Sequence, residues 1–120
     1  AERSMREESE ARFRRIFDAS PLPKQIHDRG TGDLVSINRA HEEFFGYPLH
    51  EVRGNRWGDI AYPDQTLRES VYAQWHKDIE ISARTGQVMS SPELALRCRN
   101  GDTRTVQGHM TVIGDDVIIA

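Results

Sequence analysis

Apolar positions change their spacing along this chain, and each change marks an element. Met5, Ser9, Arg12, Phe13, Ile16 and Phe17 recur at three- and four-residue intervals inside a highly charged run. That pattern predicts an amphipathic helix over about residues 3–18, closed by Ser20-Pro21 because the residue before proline avoids the α region. Residues 23–28 and 34–37 are short strand candidates, with the turn sequence RGTGD between them. Asn38 is a preferred N-cap type and Gly46 a preferred stop, so RAHEEFF reads as a helix with Ala40, Phe44 and Phe45 inward. That phase turns His41, Glu42 and Glu43 toward solvent. Residues 48–54 form another helical turn, and NRWGDIAYPD, residues 55–64, reads as irregular.

From Pro63-Asp64 a long helix runs to Thr85 and stops at Gly86. Leu67, Val71, Trp75, Ile79 and Ala83 fall every four residues and define its buried stripe. The last third switches to period two. Leu94, Leu96 and Cys98 share one face of a strand, and Val106, Gly108, Met110 and Val112 share one face of the next. Asn100-Gly101 between them predicts a tight hairpin with positive φ at both turn residues. Thr105, Gln107, His109 and Thr111 take the opposite, outer face. A final strand covers VIIA, residues 117–120. This order of elements is an α+β domain with an antiparallel sheet and helices on one face.

Length and charge narrow the possibilities. The 120 residues make one domain, able to bury roughly two-thirds of its unfolded surface. A net charge of −3 argues against a dedicated nucleic-acid binder, which needs a basic stripe. The single Cys98 forbids an internal disulfide and suits a reducing cytosol. No apolar run approaches 18 residues, so no membrane insertion is expected of this segment. The apolar end and the non-methionine start both suggest a piece of a longer protein. HEEFF is not a zinc site, because the second histidine of the metalloprotease spacing is replaced by Phe45. No Gly-x-Ser-x-Gly elbow or phosphate-cradling glycine loop is present, so no catalytic residue and no metal ligand set is assigned.

The runs FRRIFDASPLPKQIHD, INRAHEEFFGYPLHEVRG, YPDQ and RNGDTRTV occur in that order. In this the chain resembles a PAS domain of bacterial signalling proteins, of the kind joined to histidine kinases or diguanylate cyclases. Asn38, Ala40, Phe45-Gly46-Tyr47, Glu51 and Gly54 carry most of the likeness. The resemblance implies a five-stranded antiparallel sheet over residues 19–120, with residues 1–18 as a linker or dimerisation helix. It also implies a cytoplasmic, non-catalytic sensor that relays a signal to a covalently linked output domain. Two forms are open: a core cavity that binds a small molecule, or a packed core that serves only dimerisation and relay. A cavity would be lined by Val71, Trp75, Ile79, Leu94, Leu96, Val106 and Met110. A homodimer would use Met5, Phe13, Ile16 and Phe17.

Cofactors are not expected. Flavin photosensors of this family carry a reactive cysteine in a Gly-x-Asn-Cys-Arg-Phe run, and GNRW here puts Arg56 where that cysteine would stand. Haem-binding members use a histidine on the long helix, which would be His76. The inward stripe passes instead through Trp75, about 100° away around the helix. His27 and His109 sit on polar strand faces and read as surface groups.

Overall fold

The computed structural model describes residues 2–120. Its elements are α1 (Glu2–Ala19), β1 (Gln25–Asp28), β2 (Leu34–Ile37), α2 (Arg39–Phe45), α3 (Leu49–Val52), α4 (Arg56–Ala61), α5 (Gln65–Thr85), β3 (Met89–Arg97), β4 (Thr103–Ile113) and β5 (Asp116–Ile119). The five strands form one antiparallel sheet in the order β2-β1-β5-β4-β3. Helices cover the face that carries the buried Leu94, Leu96 and Met110, while Glu93, Ala95 and Arg97 remain exposed opposite.

Asn38 holds the N-terminal half together. Its Oδ1 accepts from His41 N at 3.0 Å, capping α2, and from Lys24 N at 2.9 Å. Its Nδ2 donates to the carbonyls of Phe17 and Leu22, both at 2.9 Å. One buried amide thus satisfies the end of α1, the approach to β1 and the start of α2. The α5 helix is capped in the same manner by Asp64, whose Oδ1 accepts from Thr66 N and Leu67 N.

Three expectations are corrected. The stretch expected to be irregular contains α4, because Trp57, Ile60 and Ala61 lie three and four apart, and Trp57 and Ala61 are buried. The hairpin after β3 is longer than a two-residue turn. Gly101 N donates to Cys98 O at 3.0 Å, and only Gly101 takes positive φ, at 92°. Asn100 keeps ordinary φ, and its Oδ1 accepts from Asp102 N, an Asx turn that stabilises the loop. Finally, β3 begins at Met89 rather than near Glu93, since a bulge around Ser91-Pro92 interrupts the alternation. Ser91 Oγ accepts from Gly108 N there, replacing a lost ladder bond.

The inward stripe of α5 also carries polar groups, for Asp78 and Ser82 are buried. Each is satisfied: Gln74 Nε2 donates to Asp78 Oδ1, and Val112 N donates to Ser82 Oγ at 3.0 Å, tying α5 to β4.

Candidate functional site

Between the sheet and the helices lies a cavity of about 380 Å³. Its aromatic wall comes from Phe44, Phe45, Trp57, Tyr62, Tyr72 and Trp75, and its sheet wall includes Leu94, Leu96, Val106 and Ile119. A second hollow of about 270 Å³ shares His27, Trp57, Tyr72, Trp75 and Ile119 with the first. The shared residues form the partition between them.

The expected lining residues divide. Trp75, Leu94, Leu96 and Val106 line the cavity. Ile79 lines the second hollow, together with His76, an exposed residue of α5. Val71 and Met110 are buried in the core and line neither space. Trp75 is half-buried, which suits a side chain with one face on a cavity.

The polar part of the site lies where surface residues were expected. His41, read from sequence as outward, is 1% exposed, and its ring sits 4.8 Å from Phe45 and 4.9 Å from Trp57. The reason is helical phase: His41 and Phe45 are four apart, so a helix that buries Phe45 must also bury His41. His27 is half-buried and lines both spaces, not the polar surface. His109 is exposed as expected, with Nδ1 2.8 Å from Ser90 Oγ, and stands at the cavity edge.

Gln25 joins the buried imidazole of His41 to the half-buried one of His27. Its amide nitrogen is 2.9 Å from His41 Nε2, its amide oxygen is 2.9 Å from His27 Nε2, and His27 Nδ1 is 3.2 Å from Gly32 O. With the amide in that sense, His27 must donate from both ring nitrogens and so carry a charge. Burial opposes this, lowering the His27 pKa despite the Gly32 carbonyl and Asp33. Rotating the amide by 180° removes the conflict. His41 Nε2–H then donates to the Gln25 oxygen, the Gln25 nitrogen donates to His27 Nε2, and His27 Nδ1–H donates to Gly32 O. Both rings become neutral, and only His41 Nδ1 lacks a partner. Burial, with a smaller contribution from His27, lowers the His41 pKa to about 3. Tyr62 is pushed up to about 12 by burial and by Tyr72, and burial also raises Tyr72, so both phenols keep their protons.

Gly58 sets the position of Tyr72. A Cβ at residue 58 would collide with the Tyr72 hydroxyl, so the phenol lies against bare backbone of α4. Gly58→Ala should swing Tyr72 off α4 and open the partition while leaving the fold intact. A shift of the Tyr72 ring resonances with cooperative unfolding retained is the expected result; unchanged Tyr72 resonances would show that α4 moves instead.

A family model described as the PAS fold matches residues 34–117. Among solved structures, the PAS domain of an HTR-like protein from Haloarcula marismortui is 20% identical, covering 98% of this chain and 93% of that one, with a TM-score of 0.72. A domain of the sensory box sensor histidine kinase/response regulator from Geobacter sulfurreducens is 19% identical over 92% of this chain and 90% of that one, with a TM-score of 0.65. The Rhodobacter sphaeroides LOV protein is 18% identical over 88% of this chain and 62% of that one, with a TM-score of 0.66. No curated protein sequence matches the chain. With the family model spanning most of the sequence and the sheet order and helices agreeing with it, the chain belongs to the PAS fold family.

Proposed function

We propose that this domain is a ligand-binding sensor whose cavity takes up a small molecule and passes the change in packing to a linked output domain. The observation that carries this reading is the cavity itself. At about 380 Å³ it exceeds the roughly 300 Å³ at which ligand pockets begin, whereas a relay with a packed core would show no comparable space. Native mass spectrometry of freshly purified protein tests it. A retained mass in the small-molecule range is expected, and a cavity that admits no compound at all sinks the proposal.

The output domain is proposed to be a histidine kinase or diguanylate cyclase, with the whole protein cytoplasmic. Among the described residues no helix is long and apolar enough to cross a membrane. No cofactor is proposed. Arg56, at the position of the photoactive cysteine, is exposed on α4 with Nη1 3.4 Å from His50 O. The chain's cysteine is buried at Cys98 with Sγ 3.9 Å from Phe44 O.

Signal transfer through a homodimer is proposed with a narrower contact set than the sequence suggested. Phe17 is 5% exposed and stacks on Phe13, so it belongs to the domain core and offers nothing to a partner. Met5, Phe13 and Ile16 are exposed on α1 and remain candidates. A helix of this length is marginal in water without a partner surface. Sedimentation should show a dimer at micromolar concentration that weakens when residues 1–15 are removed; a monomer with the helix intact would exclude it.

A further inference from the structure

The walls of the cavity restrict what it can hold. Among the described residues, no Asp, Glu, Lys or Arg lines it. The imidazoles of His27 and His41 are neutral at physiological pH, and the phenols of Tyr62 and Tyr72 are protonated. A charged group buried deep in it would therefore find no carboxylate, ammonium or guanidinium to pair with. Six aromatic side chains present faces and edges suited to a flat ring system. A water molecule's share of volume is about 30 Å³, so the space corresponds to about a dozen non-hydrogen atoms.

Gln25 supplies the polar complement. A carboxamide has two N–H donors and two acceptor lone pairs, and the contacts with His41 and His27 use one of each. One N–H and one lone pair remain, on the two polar atoms of a nearly buried side chain that lines the cavity. The group that satisfies both at once is another amide or its equivalent, a donor beside an acceptor.

From this juxtaposition we infer that the cavity binds an uncharged, planar aromatic compound of about a dozen non-hydrogen atoms carrying an amide-like donor–acceptor pair that meets Gln25. This rests on the cavity being a ligand site, and the test separates the two claims. Trp57 and Trp75 are the only tryptophans in the chain, and both line the cavity, so their indole N–H signals report occupancy without assignment of the rest. The probes are naphthalene-2-carboxamide, naphthalene-2-carboxylate and naphthalen-2-ylmethylammonium, which share a ring and differ in charge. The carboxamide should move both indole signals saturably, with each ion bound at least about tenfold more weakly. An ion that binds within tenfold of the carboxamide overturns the uncharged class and leaves the cavity as a ligand site. Three compounds that move neither indole signal overturn this inference, and with no retained mass in the native spectrum they remove the ligand reading too. Gln25→Leu supplies a second readout: it should weaken the carboxamide about tenfold, and equal binding would remove Gln25 from the contact.

Discussion

Alanine in place of Asn38 should cost about 3 kcal/mol of unfolding free energy, well beyond the ~1 kcal/mol of an ordinary N-cap. The difference comes from what else the side chain does. Removing it strands Lys24 N and His41 N as donors and the Phe17 and Leu22 carbonyls as acceptors, at a residue that is 1% exposed. Water cannot reach all four without loosening the junction of α1, β1 and α2. Asn38→Asp should be damaging as well, since a carboxylate would then face two carbonyl oxygens. Urea denaturation measures both variants. A loss near 1 kcal/mol for Asn38→Ala would mean that only the cap matters and that the link to α1 is energetically idle.

Acid should unfold the domain through His41 before its carboxylates titrate. The folded-state pKa is lowered to about 3 from an ordinary value of 6.5, so protons bind the unfolded chain preferentially. The stability contributed by neutral His41 is complete above about pH 6.5 and is lost as pH falls toward 3. At about 1.4 kcal/mol per pH unit, the loss between pH 6.5 and 4.5 is about 2–3 kcal/mol. His27 is shifted in the same direction and adds to it. Asp28 and Glu51 are lowered by Thr31 and Arg99 respectively, so their contributions disappear only below this window. His41→Phe should be less stable at pH 7, because it leaves one end of the Gln25 amide unpaired, yet its stability should fall by about one proton less across the window. An identical slope in parent and variant would place the titration elsewhere.

Much of the architecture was legible because burial and period agree over long stretches. The α5 helix has a cap, a stripe and a stop, and Leu94, Leu96 and Cys98 alternate as a half-buried strand requires. The polar site was not legible. His41 precedes two acids and two phenylalanines, and either Phe44 or Phe45 could lead the inward face. Ala40, Phe44 and Phe45 read as the inward set without the histidine, yet His41 projects between Phe44 and Phe45 around the helix, so burying Phe45 turns it in. Gln25 and His27 lie two apart on β1 with Ile26 between them, which looks like a polar face with a single apolar exception. In fact Gln25 and Ile26 are both nearly buried, although successive strand residues point to opposite faces. What packs over each face decides that, and it is a tertiary property that the local pattern does not carry. The α4 helix was hidden by Gly58 and Asp59, poor helix formers between its apolar positions.

The place of β5 has a consequence for how the domain comes into being. The hairpins β1–β2 and β3–β4 form from neighbouring residues, but β5 is the only strand that joins them, pairing with Gln25–Asp28 on one side and Met110–Ile113 on the other. Synthesis proceeds from the N-terminus, so β1 emerges from the ribosome with one edge unsatisfied and stays so until nearly the entire domain has been made. Gln25 awaits Ile119. The loop closed by that contact spans most of the sequence, and its closure entropy falls due before any compensating burial. Until then the nascent chain exposes two strand edges that the finished sheet covers, each a template for a wrong partner. The long interval before β5 arrives is therefore the period in which this fold depends most on its surroundings.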